Sequence, residues 1–198
     1  HAKDDQFVSK TLKATGLWEP YETQLISELL FEGAVFVDVG ANIGYYSVVA
    51  SPLIGIEGQV YAFEPEQKNF ALLQKNSQLN QSKNIHCVNA GLAAEDCAAK
   101  IYLSDDNWGD HQIYDGGEQR QAQSINLRNG DSYLMPRVNQ IDVLKIDTQG
   151  AEFKVLSGLQ QLLAKSPKIK MIVEFWPYGL RQAGDHAHKL LDLLLALK

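Results

Sequence analysis

Two glycines and a carboxylate stand together in the segment VFVDVGANIG (residues 35–44). A continuous apolar run ends at Gly40, and a helical pattern begins after the tight turn that Gly40 and Gly44 bracket. The first turn of a helix leaves main-chain N–H groups without partners, and such groups bind carboxylates or phosphates. The segment therefore predicts a strand, a turn and a helix around one end of a small-molecule ligand.

The glycine spacing separates two kinds of nucleotide ligand. Dinucleotide sites use G-x-G-x-x-G, but Asn42 and Tyr45 occupy the second and third glycine positions here. At the strand end, the Asp38 carboxylate would repel a phosphate, whereas it suits the ammonium group of a methionine moiety. Glu64, followed by Pro65, closes the next predicted strand and can accept hydrogen bonds from ribose hydroxyls. The combination favours S-adenosylmethionine over NAD; a glycine-rich turn and a solvated glutamate are the simpler alternative.

A second group of polar residues lies in the segment DDNWGDH (residues 105–111). His111 is a natural base near neutral pH. Trp108 can stack on the apolar face of a sugar, while Asn107 and Asp110 can bond to hydroxyls. This pattern predicts an acceptor-binding segment, and a surface turn with a solvated histidine is the alternative.

Two more carboxylates follow predicted strands at the same edge of the sheet. Asp147 can act as a base or orient an acceptor, and it can instead cap the next helix. Glu174 ends a later apolar run and is a candidate contact to the acceptor. Oxygen ligands from the pair suit a divalent ion, but no third ligand is evident from the spacing, so we predict no metal.

Strand and helix patterns alternate along the chain. Helices are predicted over residues 21–31, 42–53, 67–79, 151–163 and 186–197, and strands over 34–39, 59–63, 84–89, 98–103, 141–146 and 170–175. Such alternation predicts an α/β fold with a mostly parallel sheet and helices on both faces. Ligands of such sheets bind at the carboxyl ends of the strands, where the candidate residues lie.

The length and periodicity predict one domain over residues 1–198. Residues 1–33 are predicted to form an N-terminal helical cap. Residues 104–139 are polar and rich in Asp, Asn, Gln and Gly. Because so long an aperiodic stretch is uncommon in a compact domain unless it is functional, we predict an insertion near the active site.

The composition of the chain bears on which classes of partner it can bind. The net charge of -6 and the lack of a basic stripe speak against a nucleic-acid partner. The apolar runs are too short to cross a bilayer, which predicts no membrane partner, and no signal-peptide pattern begins the chain, which predicts a cytoplasmic protein. Cys87 and Cys97 have no zinc-binding spacing. The oligomeric state is left open.

Several strings resemble the motifs of the FkbM-type methyltransferases. They are VDVGANIG (residues 37–44), FEP (63–65), LKIDTQGAE (144–152) and VEFWP (173–177). The lysine-to-glutamate string of residues 145–152 is the specific one, and Gln149 departs from it because family members often carry Glu there. The resemblance implies a Rossmann-like class I S-adenosylmethionine-dependent fold. It also implies further strands after the last helix, so the C-terminal strands are expected to be missing.

The resemblance also implies where the cofactor would lie. The methionine half would contact Asp38, Gly40 and Asn42, with Ala41 and Gly44 in the same loop. Glu64 would hold the ribose, with Pro65 also a cofactor contact, and Asn89, Ala90 and Gly91 would lie beside the adenine. Asp147 would lie near the sulfonium and the acceptor.

The predicted reaction is methylation of a hydroxyl of a sugar, glycan or natural product, with S-adenosylhomocysteine as the second product. His111 and Asp147 are the candidate catalytic residues, and Asn107, Trp108 and Glu174 the candidate acceptor contacts. Three alternatives stay open: an N-methyltransferase, a nucleotide-binding oxidoreductase, and a non-catalytic binding module of the same fold.

Overall fold

The computed structural model describes residues 5, 7–104, 107–116 and 120–197. Its helices are α1 (Val8–Thr15), α2 (Pro20–Leu29), α3 (Tyr45–Leu53), α4 (Gln67–Leu79), α5 (Gly130–Leu134), α6 (Glu152–Ser157), α7 (Gln160–Ala164), α8 (Pro177–Gln182) and α9 (Ala187–Ala196). Its strands are β1 (Val35–Val39), β2 (Gln59–Phe63), β3 (Ile85–Val88), β4 (Gly91–Ala93), β5 (Cys97–Leu103), β6 (Gln121–Asn129), β7 (Val143–Ile146) and β8 (Lys170–Val173).

The central sheet runs in the order β3-β2-β1-β7-β8, and each neighbouring pair is parallel. In the register of the sheet, Asp38 pairs with Ala62 on one side and with Lys145 on the other. The chain leaves β1 for β2 on one side and reaches β7 on the other, so the strand order reverses at β1. A crevice for ligands forms at such a point, outside the carboxyl ends of the strands.

The central strands contribute side chains to two apolar cores, one on each face of the sheet. Phe36 packs with Ile26 of α2 and Leu73 of α4 on one face of the sheet. Val37 packs on the other face, with Leu156 of α6 among its neighbours. Since successive residues of a strand point to opposite faces, one short apolar run serves both layers. The predicted α/β fold, a mostly parallel sheet covered on both faces, is therefore confirmed.

The polar stretch over residues 104–139 is less irregular than its composition predicts. It contains the nine-residue strand β6 and the short helix α5. Strand β6 pairs antiparallel with β5 and parallel with β4 to form a second, smaller sheet. Most of its side chains are exposed or half-buried, with Ile125 buried, so its sequence lacks a strong apolar signal. Tertiary pairing, rather than hydrophobic pattern, makes this segment a strand.

The helix predicted over residues 151–163 is two short helices, α6 and α7. A Cβ on Gly158 would lie 1.9 Å from the Ala93 carbonyl oxygen, so the chain passes against β4 at this glycine. The Asp131 carboxylate then accepts hydrogen bonds from the main-chain N–H groups of Gln161 and Leu162. Because the cap of α7 comes from a distant segment, local periodicity does not reveal the break.

The described residues up to position 33 contain α1 and α2, and the cap role predicted for residues 1–33 stays a prediction. Helix α2 contributes Ile26 to the apolar core around Phe36, and the helix also packs against α3. Across the residues that the structure describes, no helix combines the length and apolar character needed to cross a membrane.

Candidate active site

Two adjoining clefts open at the carboxyl ends of β1, β2 and β7. The first cleft has an empty volume of about 610 Å³, and its own lining includes Glu64, Pro65, Asn69, Gly91, Leu92, Ile101, Trp108, His111, Ile113, Ile125 and Leu127. The second cleft has an empty volume of about 900 Å³, and its own lining includes Trp18, Glu19, Ala41, Tyr45, Tyr46, Asn107, Asp110, Lys145 and Glu174. Both clefts are lined by Gly40, Asn42, Gly109, Asp147 and Gln149.

Gly40 brings the β1 turn against β7. Its φ is +80°, and a Cβ there would lie 1.9 Å from the Asp147 carbonyl oxygen. The main-chain N–H groups of Gly40 and Ala41 donate to the Phe63 carbonyl over 3.0 Å, which ties the turn to β2. Only glycine combines this φ with so close an approach. The sequence analysis singled out Gly40 as a cofactor contact. In the structure, glycine is required here first of all because the turn packs against the end of β7.

Gly44 serves the helix that follows the turn. Its φ is +84°, and a Cβ there would lie 2.4 Å from Leu73 Cδ1 of α4. Gly44 lines neither cleft, whereas its neighbour Ala41 lines the second. The structure thus separates the two predicted cofactor glycines: Gly40 lines both clefts and Gly44 packs α3 on α4.

Glu64 joins the first two strands of the chain at the mouth of the first cleft. Its Oε2 accepts the main-chain N–H of Asn42 over 2.8 Å, and its Oε1 accepts that of Glu66 over 2.9 Å. Burial raises the pKa of Glu64 to about 8, although the two N–H donors counteract that rise. The side chain retains lone pairs for further donors, as hydroxyl recognition requires. Pro65, the next residue, lines the same cleft.

Asp38 lies beneath the clefts rather than in them. Its side chain is fully buried, and Oδ2 accepts a hydrogen bond from Ser47 Oγ of α3 over 2.7 Å. Burial raises the pKa of Asp38, and Lys145, its partner in the sheet register, acts against that rise. Asp38 lines neither cleft, so the structure places it as a support for α3 and a counter-charge for Lys145.

Lys145 is a residue that the sequence analysis did not single out. Its Nζ lies 3.2 Å from Asp147 Oδ2, 3.9 Å from Glu22 Oε1 and 4.8 Å from the centre of the Tyr46 ring. Burial lowers the pKa of Lys145, but Asp147, Asp38 and Glu22 raise it above its ordinary value. The sequence does carry a signal for Lys145, because it is a charged residue inside an apolar strand. A buried charge needs a partner of opposite charge, so such a residue indicates a nearby carboxylate.

The segment after β3 forms one wall of the first cleft. The Asn89 side-chain amide donates to the carbonyls of Glu64 and Pro65 over 3.0 and 3.2 Å, which fixes the end of β2. Ala90 is buried outside the lining of both clefts. Gly91 lines the first cleft, and a Cβ there would lie 2.8 Å from Leu127 Cδ2. Of the three residues predicted beside the adenine, Gly91 therefore lines the cleft and Asn89 supports it.

The segment 107–111 closes over the cofactor loop. The Trp108 carbonyl accepts hydrogen bonds from Asn42 Nδ2 and Asn69 Nδ2, each over 3.0 Å. Trp108 lines the first cleft, while Asn107 lines the second and accepts the Gly109 N–H with Oδ1. The first two residues of the predicted acceptor segment, 105 and 106, lie outside the described residues. The described part contacts the loop through Asn42, and its predicted role in binding the acceptor stays a prediction.

His111 lines the first cleft, and one of its ring nitrogens is hydrogen-bonded to the main chain. Its Nδ1 accepts the main-chain N–H of Ser104 over 3.0 Å. Burial lowers the pKa of His111, with Glu66 acting in the opposite direction. A neutral imidazole that accepts at Nδ1 carries its proton on Nε2. His111 therefore presents a hydrogen-bond donor to the cleft in this arrangement.

Asp147, Gln149 and Glu174 form a connected group at the second cleft. Gln149 Nε2 donates to Asp147 Oδ1 over 2.9 Å and to Glu174 Oε1 over 3.0 Å. Burial, followed by the nearby Asp147 and Glu152, raises the pKa of Glu174 to about 8. Glu152 holds the loop itself, because its Oε1 accepts the N–H groups of Thr148 and Gly150. Within the described ranges, no three His, Cys, Asp or Glu side chains are grouped to hold a metal ion.

The parallel sheet and its covering helices form the Rossmann-like fold of class I methyltransferases. Residues 38–197 match the Methyltransferase FkbM domain. The chain belongs to this family, whose domain uses S-adenosylmethionine as the methyl donor.

Relatives and solved structures agree on the fold. The chain is 24% identical over 148 residues to Methyltransferase 1 of Beauveria bassiana (strain ARSEF 2860), covering 65% of this chain and 59% of that protein. It is similar to the crystal structure of Methyltransferase FkbM from Methylobacillus flagellatus KT, at a TM-score of 0.55 and 18% identity over 84% of this chain and 37% of that chain. A putative methyltransferase from Streptococcus mutans in complex with SAH has a TM-score of 0.53 and 13% identity over 92% of this chain and 84% of that chain. The chain thus spans less than two thirds of the length of the first two.

Proposed function

We propose that the protein transfers a methyl group from S-adenosylmethionine to a hydroxyl of a sugar, glycan or natural product. One observation carries the proposal: a cleft with carboxylate and aromatic walls adjoins the cofactor loop. Glu19, Asp147 and Glu174 supply acceptors for hydroxyl hydrogens, while Trp18 and Tyr45 supply flat apolar surface. Hydroxylated rings need both kinds of contact, because their edges are polar and their faces apolar.

The first cleft is our candidate for the adenosine end of the cofactor. Its apolar walls include Leu92, Ile101 and Ile125, and Glu64 lies at one side with the hydrogen-bonding capacity that ribose hydroxyls need. A side chain on Gly91 would protrude beside Leu127, so glycine keeps this wall flat. Gly40, Asn42 and Ala41 would hold the methionine end, where the second cleft begins. When bound, the cofactor supplies an electrophilic methyl group on a sulfonium sulfur, which departs as a neutral thioether.

The chain's own residues would align the acceptor and receive its proton. Asp147 lines both clefts and is fixed by Lys145 and Gln149, so it is placed to orient a hydroxyl. Asn107 and Glu174 would bind further acceptor hydroxyls from the second cleft. Trp108 would cover the first cleft. The base role predicted for His111 stays a prediction, and its geometry favours a donor role.

The alternatives differ in what they require of the clefts. An amine acceptor would also suit the carboxylates of the second cleft, so N-methylation is the second candidate. The carboxyl-rich lining of the second cleft offers a phosphate backbone little cationic surface, and for this reason we propose a small-molecule or glycan acceptor. An oxidoreductase would need the dinucleotide turn that Asn42 and Tyr45 replace.

The proposal is tested with S-adenosylmethionine that carries a deuterated methyl group. The protein is incubated with panels of sugars, hydroxylated natural products, amines and RNA, and the products are analysed by mass spectrometry. Transfer of the deuterated methyl group to an oxygen of a sugar or natural product is the expected result. Transfer to amines or RNA alone would refute the hydroxyl assignment. A thermal-shift assay in which NAD stabilises the protein and S-adenosylhomocysteine does not would refute methyl transfer as well.

A further inference from the structure

Gln149 makes an unusual set of contacts for a neutral side chain at the second cleft. Its Nε2 donates to Asp147 over 2.9 Å and to Glu174 over 3.0 Å, and its main-chain N–H donates to Glu174 Oε2 over 3.2 Å. The backbone of Gln149 has a φ of +53°, a left-handed conformation that residues other than glycine rarely adopt. Residues kept in such conformations cluster at functional sites.

The two carboxylates joined by Gln149 have different surroundings. The ammonium of Lys145 lies 3.2 Å from Asp147 Oδ2, so the charge of Asp147 is balanced by a buried cation. The hydrogen bonds that the structure gives to Glu174 come from Gln149, a neutral group. Burial and the nearby Asp147 and Glu152 raise the pKa of Glu174 to about 8. A general base works best when its pKa lies near the working pH.

We propose that Gln149 is a positioning residue that holds Asp147 and Glu174 as a bridged acidic pair, in which Glu174 takes the proton of the acceptor hydroxyl. This inference rests on the proposed hydroxyl methylation. The acceptor oxygen forms its bond to the methyl carbon as the carbon–sulfur bond breaks, and the electron pair of that bond stays on sulfur. The hydroxyl proton passes to the Glu174 carboxylate, which later releases it to solvent.

The pH dependence of the pair follows from the charges around Glu174. Among the described residues, the ionisable groups near it on neighbouring elements or in the same cleft are Asp147, Glu152, Lys145, Glu19, Tyr45, Tyr46 and Asp110. The base form of Glu174 is populated as pH rises through about 8. Changing Gln149 to Glu removes the amide donors and adds a third carboxylate. Both changes disfavour the ionised form of Glu174, so its titration moves to higher pH.

The test combines a titration that needs no acceptor with kinetics. Glutamate side chains labelled with ¹³C at the carboxyl are titrated by NMR, and the Glu174 signal is identified by its loss in Glu174→Gln. We expect the signal to titrate near pH 8 in the wild type and about one pH unit or more higher in Gln149→Glu. Gln149→Met, which removes the donors without adding charge, should give a smaller shift in the same direction. Gln140→Glu is the matched control, since Gln140 donates to Asp142 just before β7, at the opposite end of that strand. This variant should leave the titration of Glu174 unchanged.

Kinetics then test the base role. The rising limb of the pH profile of kcat/KM should follow the titration in each variant. Glu174→Gln should lower kcat by about 10²- to 10⁴-fold without changing the Kd of S-adenosylhomocysteine. A Glu174 signal that does not move in Gln149→Glu, or a Glu174→Gln variant with normal kcat, would overturn the inference. If no hydroxyl is methylated although the Glu174 signal moves as expected, the proposed function fails and the bridge by Gln149 stands.

Discussion

The main-chain N–H of Asn42 donates to Glu64 Oε2 over 2.8 Å, which joins the turn after β1 to the end of β2. Glu64 therefore has two tasks, since the same carboxylate also faces the first cleft. It holds the turn in place before any ligand binds, and it offers its remaining lone pairs to the ligand. Both tasks depend on a carboxylate with two acceptor oxygens.

Replacing Glu64 with Gln should weaken cofactor binding. The amide keeps the size of the side chain but turns one acceptor into a donor, which opposes the N–H of Asn42 or of Glu66. Above about pH 8, where the Glu64 carboxyl is ionised, a lost hydrogen bond to this charged group is worth about 1.5–3 kcal/mol, so calorimetry in that range should show the Kd of S-adenosylhomocysteine rising at least about tenfold. Glu57→Gln, at an exposed position, should leave the Kd unchanged. An unaltered Kd in Glu64→Gln would remove Glu64 from the cofactor site.

Gly40 and Gly33 allow backbone strain to be separated from close packing. Both have a positive φ, +80° and +84°, but a Cβ meets the Asp147 carbonyl at 1.9 Å in Gly40 and nothing within 4 Å in Gly33. Gly33→Ala should cost about 1–2 kcal/mol of unfolding free energy, from the left-handed conformation alone. Gly40→Ala should cost about 1–3 kcal/mol more. Equal losses in urea denaturation would show that the turn can move away from β7.

The variant His111→Ala distinguishes two roles for this residue, a general base and a hydrogen-bond donor to the ligand of the first cleft. A base would leave the Kd of S-adenosylhomocysteine unchanged and lower kcat. Because His111 accepts at Nδ1 and lines the first cleft, we expect the Kd to rise about 2- to 10-fold, as for one lost hydrogen bond. His188→Ala, exposed on α9, is the control. A normal Kd with a large fall in kcat would restore the base role predicted from sequence.

The raised pKa of Glu174 predicts a pH-dependent stability. Its ordinary value is 4.5, and burial, Asp147 and Glu152 raise it to about 8 in the folded protein. The folded state binds this proton more tightly than the unfolded state, so the contribution is complete below about pH 4.5 and is lost as pH rises through about 8. Glu174→Gln should flatten the decline in unfolding free energy across this window. Denaturation at several pH values checks this, with the exposed Glu95→Gln expected to keep the wild-type slope.

Local sequence was sufficient for the main elements of the sheet. The run through Val39 and the run ending at Phe63 are apolar because both faces of the central strands are covered, and the predicted bounds of β2 and α4 agree with the structure. The strand β6 was missed because it is polar and largely exposed, so the signal for it is its pairing with β4 and β5. The break between α6 and α7 was missed because Asp131 caps α7 from 30 and 31 positions away.

The sequence by itself determined the fold class, which depends on apolar periodicity, and the family, which the motif strings of residues 37–44 and 144–152 resemble; it also predicted the loop at which the cofactor would bind. Only the tertiary structure decided which candidates line a cleft. It put Asp38 beneath the site and Gly44 between helices, although both belong to the same motif as Gly40. It also brought Gln149 between Asp147 and Glu174. The contact with Glu174 joins residues 25 positions apart in the chain and arises because β7 and β8 are neighbours in the sheet. Such contacts depend on strand order, which no local pattern encodes.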